Sequence, residues 1–393
     1  MWPCLLLATA SSQDPDFGSD VPTIVRARGY QIEQNSVVTD DGYILGLFRV
    51  VSPVRASSRP PVLLQHGSMD SSYAWVANYA NQSLAFLLVD AGFDVWLPNA
   101  RGSAWSQAHT RYPPRSAEFW NFTFDEMAAF DLPANVAHVR SQTGAEKVGL
   151  VAHSEGATTA FAALSSQPEL ARQLYAYVAL APPVFMAHIS SPVATLAAKL
   201  HLIEAERALG VRQLDPPAAQ QLIHSIGARS CALVSGLCTD VLSLLCGQST
   251  HLNVTRLPVY LSQTPSGAAA TKNMVHWMQG IRARPPAFQR FDYGCGPLRC
   301  ANELHYGQRT PPSYTLSAYP AALPTSIFHG SADPIANPDD VAGLMAALPA
   351  TAQIQSRSVP GYAHMDFTWG VDANSLVYPA VLARLSSASG VSA

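Results

Sequence analysis

A serine sits at the junction of two different patterns in Val148-Gly149-Leu150-Val151-Ala152-His153-Ser154-Glu155-Gly156-Ala157-Thr158: an apolar, strand-like run before it and a helix-compatible run after it. This is the signature of a strand-to-helix elbow, which lifts a serine hydroxyl into position to attack a carbonyl carbon. Such a turn needs small residues two positions either side of the serine, because larger side chains there strike the neighbouring strand and helix. Ala152 and Gly156 occupy those positions. A serine hydroxyl is a weak nucleophile until a base takes its proton, so a histidine oriented by a carboxylate is required. In elbow enzymes the acid and then the histidine follow the serine in the chain. Asp333 lies in the turn that ends the apolar run Ser326-Ile327-Phe328-His329, and His364 lies in a loop after a short strand around Ser358-Val359. Asp339 and Asp340, in Pro338-Asp339-Asp340-Val341, are better explained as the opening of a helix.

The oxyanion of a tetrahedral intermediate needs preorganised N–H donors. Pro61-Val62-Leu63-Leu64-Gln65-His66-Gly67-Ser68 ends an early strand in a His-Gly turn, where Gly67 lets backbone approach the site. The backbone amides of Ser68 and Glu155 are assigned as the two donors. No C-x-x-C pair and no H-E-x-x-H occurs, so neither a metal nor any other cofactor is expected. With Cys4 set aside, Cys231, Cys238, Cys246, Cys295 and Cys300 form an odd set that allows two bridges and one free thiol. Cys295 and Cys300 bracket four residues, a loop that a disulfide can close.

Elements must hold these residues. Apolar runs at residues 43–51, 61–64, 93–97, 148–151, 176–180 and 326–329 alternate with helical patterns at 84–91, 131–140 and 157–164. That alternation predicts an α/β fold, a mostly parallel sheet with helices on both faces. Between about residues 183 and 306 the rhythm gives way to Ala- and Leu-rich helical stretches, read as an inserted cap. The expected organisation is core over residues 15–182, cap or lid over 183–306, and core again over 307–393. Of the 393 residues 48% are hydrophobic and 13% charged, against about a quarter charged in an average domain, which excludes a largely disordered chain. Lys plus Arg number 24 and Asp plus Glu 27, a net of −3, which argues against a nucleic-acid partner.

No run of eighteen apolar residues exists, so no transmembrane segment is expected. Residues 1–14, with Leu5-Leu6-Leu7 before Ala8-Thr9-Ala10, read as a short or truncated signal segment without a positive n-region. Asn81, Asn121 and Asn253 begin N-x-S/T triplets, candidate glycosylation sites in a secreted chain. The sequence says little about oligomeric state.

Longer motifs add a resemblance. Asn99-Ala100-Arg101-Gly102-Ser103, the stretch from Glu118-Phe119-Trp120 through Thr123-Phe124-Asp125-Glu126-Met127 to Asp131-Leu132-Pro133-Ala134, Arg256-Leu257-Pro258-Val259-Tyr260, Asn273-Met274-Val275-His276-Trp277 and His364-Met365-Asp366-Phe367 resemble, in order, the acid lipase family that includes gastric and lysosomal acid lipases. The resemblance runs from about Gly29 to Val381, with inserted material around Cys295 to Cys300. It implies an α/β-hydrolase core under a helical cap, with Ser154 as nucleophile, Asp333 as acid and His364 as base. It also implies neutral lipid substrates, triacylglycerols or sterol esters met at a lipid–water interface, and a location in the secretory pathway, outside the cell or in a lysosome or vacuole. The family's cap disulfide implies a pairing of two among Cys231, Cys238 and Cys246, the first two being favoured.

Two residues depart from that family: Ala152 stands in place of Gly, and Glu155 in place of Gln. An ionised carboxylate a few ångströms from a developing oxyanion opposes it by about 3–4 kcal/mol at an effective dielectric near 20, comparable to one lost donor. Glu155 is therefore expected either to be protonated in the working enzyme or to turn into a pairing interaction. The expected activity is hydrolysis of a lipid ester through an acyl-enzyme. The competing readings are a small-ester carboxylesterase, an acyltransferase, or a silent fold of the same class that binds lipid.

Overall fold

In the computed structural model, which describes residues 14–54, 56–214, 235–267, 269–297 and 299–390, the chain is built on one central sheet. Its strands are β1 (Gln31–Val38), β2 (Tyr43–Val51), β3 (Pro61–Gln65), β4 (Asp94–Pro98), β5 (Val148–His153), β6 (Leu174–Leu180), β7 (Thr325–Gly330) and β8 (Ile354–Val359). They lie in the order β1-β2-β4-β3-β5-β6-β7-β8, with a two-residue strand, Ala108–His109, added alongside β2. β2 is antiparallel to β1 and β4, and every pairing from β4 to β8 is parallel.

Parallel strands are covered on both faces and so read as continuous apolar runs. Every residue of β3, β4, β5 and β6 is buried. Successive side chains alternate between two cores: Leu63, Leu150, Ala152 and Tyr177 join one, and Val62, Leu64, Val151 and Val178 the other. The helices α1 (Leu84–Asp90), α2 (Leu132–Thr143) and α3 (Glu155–Ser166) connect the strands. Residues 181–324 add no strand to this sheet among those described. They contribute α4 (Pro192–Lys199), α5 (Leu202–Ala208), α6 (Ser235–Cys246) and α7 (Thr271–Arg282) before β7, and α8 (Pro338–Ala347) and α9 (Tyr378–Ser389) follow it.

The apolar runs fall on β2 to β7 within two residues of either end. β1 was not anticipated. Gln31-Ile32-Glu33-Gln34-Asn35-Ser36 is a half-exposed edge strand held by its register with β2, and it carries no continuous apolar signal.

Candidate active site

β5 ends at His153, α3 begins at Glu155, and Ser154 between them holds φ 53°, ψ −126°. This left-handed backbone is strained for a residue with a side chain and persists only where the surroundings impose it. The Ser154 N–H donates to Leu180 O on β6 at 3.0 Å. On the far side of the turn α3 runs directly against β3. A Cβ on Gly156 would lie 2.5 Å from His66 O and 3.0 Å from Gln65 O, both backbone atoms that cannot swing away. Gly156→Ala is therefore expected to destabilise the fold by about 3 kcal/mol, read as a lower denaturant midpoint. The methyl of Ala152 packs without exposure into one of the two cores.

The loop after β7 carries Asp333 and the loop after β8 carries His364. His364 Nε2 lies 2.7 Å from Ser154 Oγ, and His364 Nδ1 lies 2.9 Å from Asp333 Oδ2. Asp333 Oδ1 accepts the N–H groups of Ile335 at 2.8 Å and Ala336 at 2.9 Å, so the carboxylate cannot rotate away. Asp333 and His364 are buried, and Ser154 is half-buried. The His364 backbone is held at both ends: its N–H donates to Cys246 O at 3.1 Å, and its carbonyl accepts His153 Nε2–H at 3.0 Å. Burial pushes His153 down to about 3, which keeps it neutral and able to serve as that single donor. Neither support was anticipated from the sequence, since both act through the backbone of the residue they hold.

Gly67 lies against the nucleophile, as a Cβ there would stand 2.8 Å from Ser154 Cβ and 3.3 Å from Oγ. The turn is fixed by His66, whose Nδ1–H donates to Gly67 O at 2.7 Å while Nε2 accepts the Ala100 N–H at 2.9 Å. That pairing requires a neutral ring, and burial pushes His66 down to about 4. The amide of Glu155 opens α3, where the first four N–H groups have no intrahelical acceptor. Ser68 and Glu155 both line a cavity beside the turn, together with Gly67, Met69, Ser266 and Asn273. A base oriented by a carboxylate thus stands at one hydroxyl, an arrangement suited to acyl transfer.

Asp70, two residues beyond Ser68, is buried, and burial pushes its carboxyl up to about 7. Between its ordinary value and 7 the folded chain keeps a proton that the unfolded chain has lost, so stability falls as pH rises through that window. The displacement corresponds to about 4 kcal/mol. Asp70→Asn keeps the acceptor for the Ser71 N–H and is expected to raise the melting temperature by several degrees at pH 8, with the gain fading toward pH 4. Parallel melting profiles of variant and parent from pH 4 to 8 refute this account.

Three other expectations meet the structure here. Asn253, read as a glycosylation site, is buried, and its Nδ2 donates to Asn78 Oδ1 at 2.9 Å and Gln82 Oε1 at 3.1 Å. The folded chain therefore offers no free amide there, whereas Asn81 and Asn121 are exposed. Cys295 and Cys300 are joined by a disulfide. Cys246 is a free thiol, which burial pushes up to about 12. Cys231 lies outside the described residues, and the 231–238 pairing with it.

Sheet order, elbow and acid–base relay define an α/β-hydrolase, and the chain matches the model of the alpha/beta hydrolase fold over residues 60–371 and that of a partial alpha/beta-hydrolase lipase region over 21–79. It is 37% identical to the gastric triacylglycerol lipase of Mus musculus, covering 97% of this chain and 95% of that one. It is 36% identical to the lysosomal acid lipase/cholesteryl ester hydrolase of Homo sapiens, covering 96% of each. Among solved structures it resembles a soluble variant of monoglyceride lipase from Saccharomyces cerevisiae, with TM-score 0.55 and 14% identity over 91% of this chain and 96% of that one. The chain belongs to the family of gastric and lysosomal acid lipases and is a carboxylic ester hydrolase.

Proposed function

We propose that the chain hydrolyses long-chain neutral lipid esters, triacylglycerols or sterol esters, with Ser154 as nucleophile, His364 as base and then acid, Asp333 as orienting carboxylate, and the Ser68 and Glu155 amides around the oxyanion. The observation that carries this reading is the unbroken relay from Asp333 through His364 to Ser154, at 2.9 and 2.7 Å. Ser154 attacks the ester carbonyl as His364 Nε2 takes its proton. His364 returns that proton to the departing alcohol, and water, activated by the same nitrogen, releases the fatty acid.

Residues 183–306 form the cap in this reading, and its outer helices support a lipid–water interface as the place of work. Val193 and Leu196 on α4, Leu200 just after it, Leu202 on α5, and Val241 and Leu244 on α6 are large apolar side chains left exposed. A concentration of such residues marks an interaction surface. Among the described residues no helix is long and apolar enough to cross a membrane. Exposed Asn81 and Asn121 and the Cys295–Cys300 disulfide support a secretory route.

A fluorophosphonate probe tests the nucleophile, and turnover of triolein, cholesteryl oleate and short p-nitrophenyl esters tests the substrate. The expected result is covalent labelling at Ser154 and turnover of at least one long-chain lipid. Labelling that bypasses Ser154, or turnover confined to the short esters, overturns the proposal.

A further inference from the structure

Glu155 supplies a backbone amide to the site, yet its side chain has no part in the chemistry described so far. That side chain is buried at the foot of α7. Its Oε2 accepts Asn273 Nδ2–H at 2.6 Å and Trp277 Nε1–H, and the Ser68 hydroxyl stands near enough to bear on its proton. All three groups are neutral.

The charged and titratable groups around it are committed elsewhere. On α7, Lys272 Nζ reaches Tyr293 OH at 3.2 Å and Glu126 at 3.8 Å, and His276 is buried and donates to Gln289 O. Arg101 pairs with Asp41 and Asp131. Asp125 takes the Phe291 N–H and the Tyr314 hydroxyl, and Glu126 closes the helix cap at Thr123. His66 is neutral, His364 is engaged by Asp333, and Asp70, whose carboxyl is pushed up to about 7, lines the same cavity and loses its proton above that pH. Among the described residues no cation is paired with Glu155.

Building on the hydrolytic reading above, we propose that Glu155 is a positioning residue whose proton sets the charge of the oxyanion hole: as a neutral carboxyl it donates to Ser68 and permits turnover, and as a carboxylate it idles the enzyme. Trp277 can only donate, so Oε2 is an acceptor in either state. The Ser68 hydroxyl can give or take a proton, so one rotation of its O–H accommodates both forms without moving a heavy atom. The neutral carboxyl has the shape of a glutamine side chain and, like it, pairs one acceptor oxygen with one donor group. Ionisation places a negative charge beside the two amides that receive the oxyanion, and the penalty falls on the transition state because the bound ester is uncharged. Burial favours the neutral form, pushing the carboxyl up from its ordinary value.

The test compares Glu155→Gln with the parent across pH 4 to 9, by p-nitrophenyl butyrate hydrolysis and, independently of any ester, by the rate at which a fluorophosphonate modifies Ser154. The parent is expected to lose kcat, with little change in KM, along a limb on the alkaline side. Glu155→Gln is expected to lack that limb, so that its ratio of pH 8 to pH 5 activity exceeds the parent's by on the order of 100-fold. The modification rates are expected to show the same difference. Should the variant fold poorly, Asp70→Asn and Asp366→Asn, which remove two other buried carboxyls pushed up to about 7 and about 6, answer in its place: each must keep the alkaline limb, and a protonated-carboxyl infrared band that survives in both must disappear with the midpoint of that limb. An unchanged limb in Glu155→Gln, or no such band, overturns the proposal. A parent that hydrolyses no ester at any pH overturns the hydrolytic reading instead, and the modification rates still report on Glu155.

Discussion

Ser154→Ala is expected to lower kcat on the order of 10⁶-fold while leaving the fold in place. The size follows from what is removed. Without the hydroxyl no acyl-enzyme forms, and His364 Nε2, now free, can only activate water against a substrate placed for attack by another atom. The remaining rate comes from the two amides and from binding, which together still exceed uncatalysed hydrolysis by roughly 10³-fold. The effect on stability is expected to be small. Ser154 already sits at φ 53°, and alanine at that position meets the same backbone strain. The Ser154 N–H bond to Leu180 O involves only backbone and is retained. Single-turnover kinetics and thermal unfolding on the same preparation check both halves. A variant retaining more than about 1% of parental kcat excludes Ser154 as nucleophile on the scale of that loss.

What could be read in the chain beforehand follows from how locally each feature is encoded. The inner strands were legible because burial on both faces imposes an apolar run, and the elbow because the turn demands small residues at fixed offsets from the serine. The chain order of acid and base was legible because each terminates a strand whose end points toward the same edge of the sheet. The supports were not. Asn273 and Trp277 meet Glu155 across 118 and 122 residues, through a helix that also buries Val275, Met278 and Ile281, so its apolar stripe reads as ordinary core packing and gives no sign of the polar pair it carries. That Glu155 would find partners was foreseeable from the cost of burying a charge; which partners, and that all would be neutral, was not. Asn253 shows the converse. Its triplet is a purely local pattern, blind to the fact that the side chain bridges Asn78 and Gln82, more than 170 residues away.

Asp333→Asn is expected to cost about 10⁴-fold in kcat with the active-site framework intact. Oδ1 of Asp333 accepts two backbone N–H groups, those of Ile335 and Ala336. An asparagine in its place must keep its carbonyl oxygen there, because turning its NH₂ toward two N–H donors leaves both unpaired. The NH₂ is thereby forced to face His364 Nδ1, which must become an acceptor. The proton then resides on Nε2, the nitrogen 2.7 Å from Ser154 Oγ, and the imidazole donates to the hydroxyl it should deprotonate. The loss is thus one of tautomer rather than of position, and that distinguishes it from a structural defect: the melting temperature should change little, and substrate affinity should survive. Asp366 offers the contrast. Its Oδ2 accepts the Ala363 N–H at 2.7 Å within the same loop, and burial pushes its carboxyl up to about 6, so it holds the backbone near His364 without addressing the ring. Should Asp333→Asn keep more than about a tenth of parental kcat, against the 10⁴-fold loss expected for a wrong tautomer, the imidazole is being oriented by some other group, and the role assigned to Asp333 is wrong even though the hydrogen bond exists.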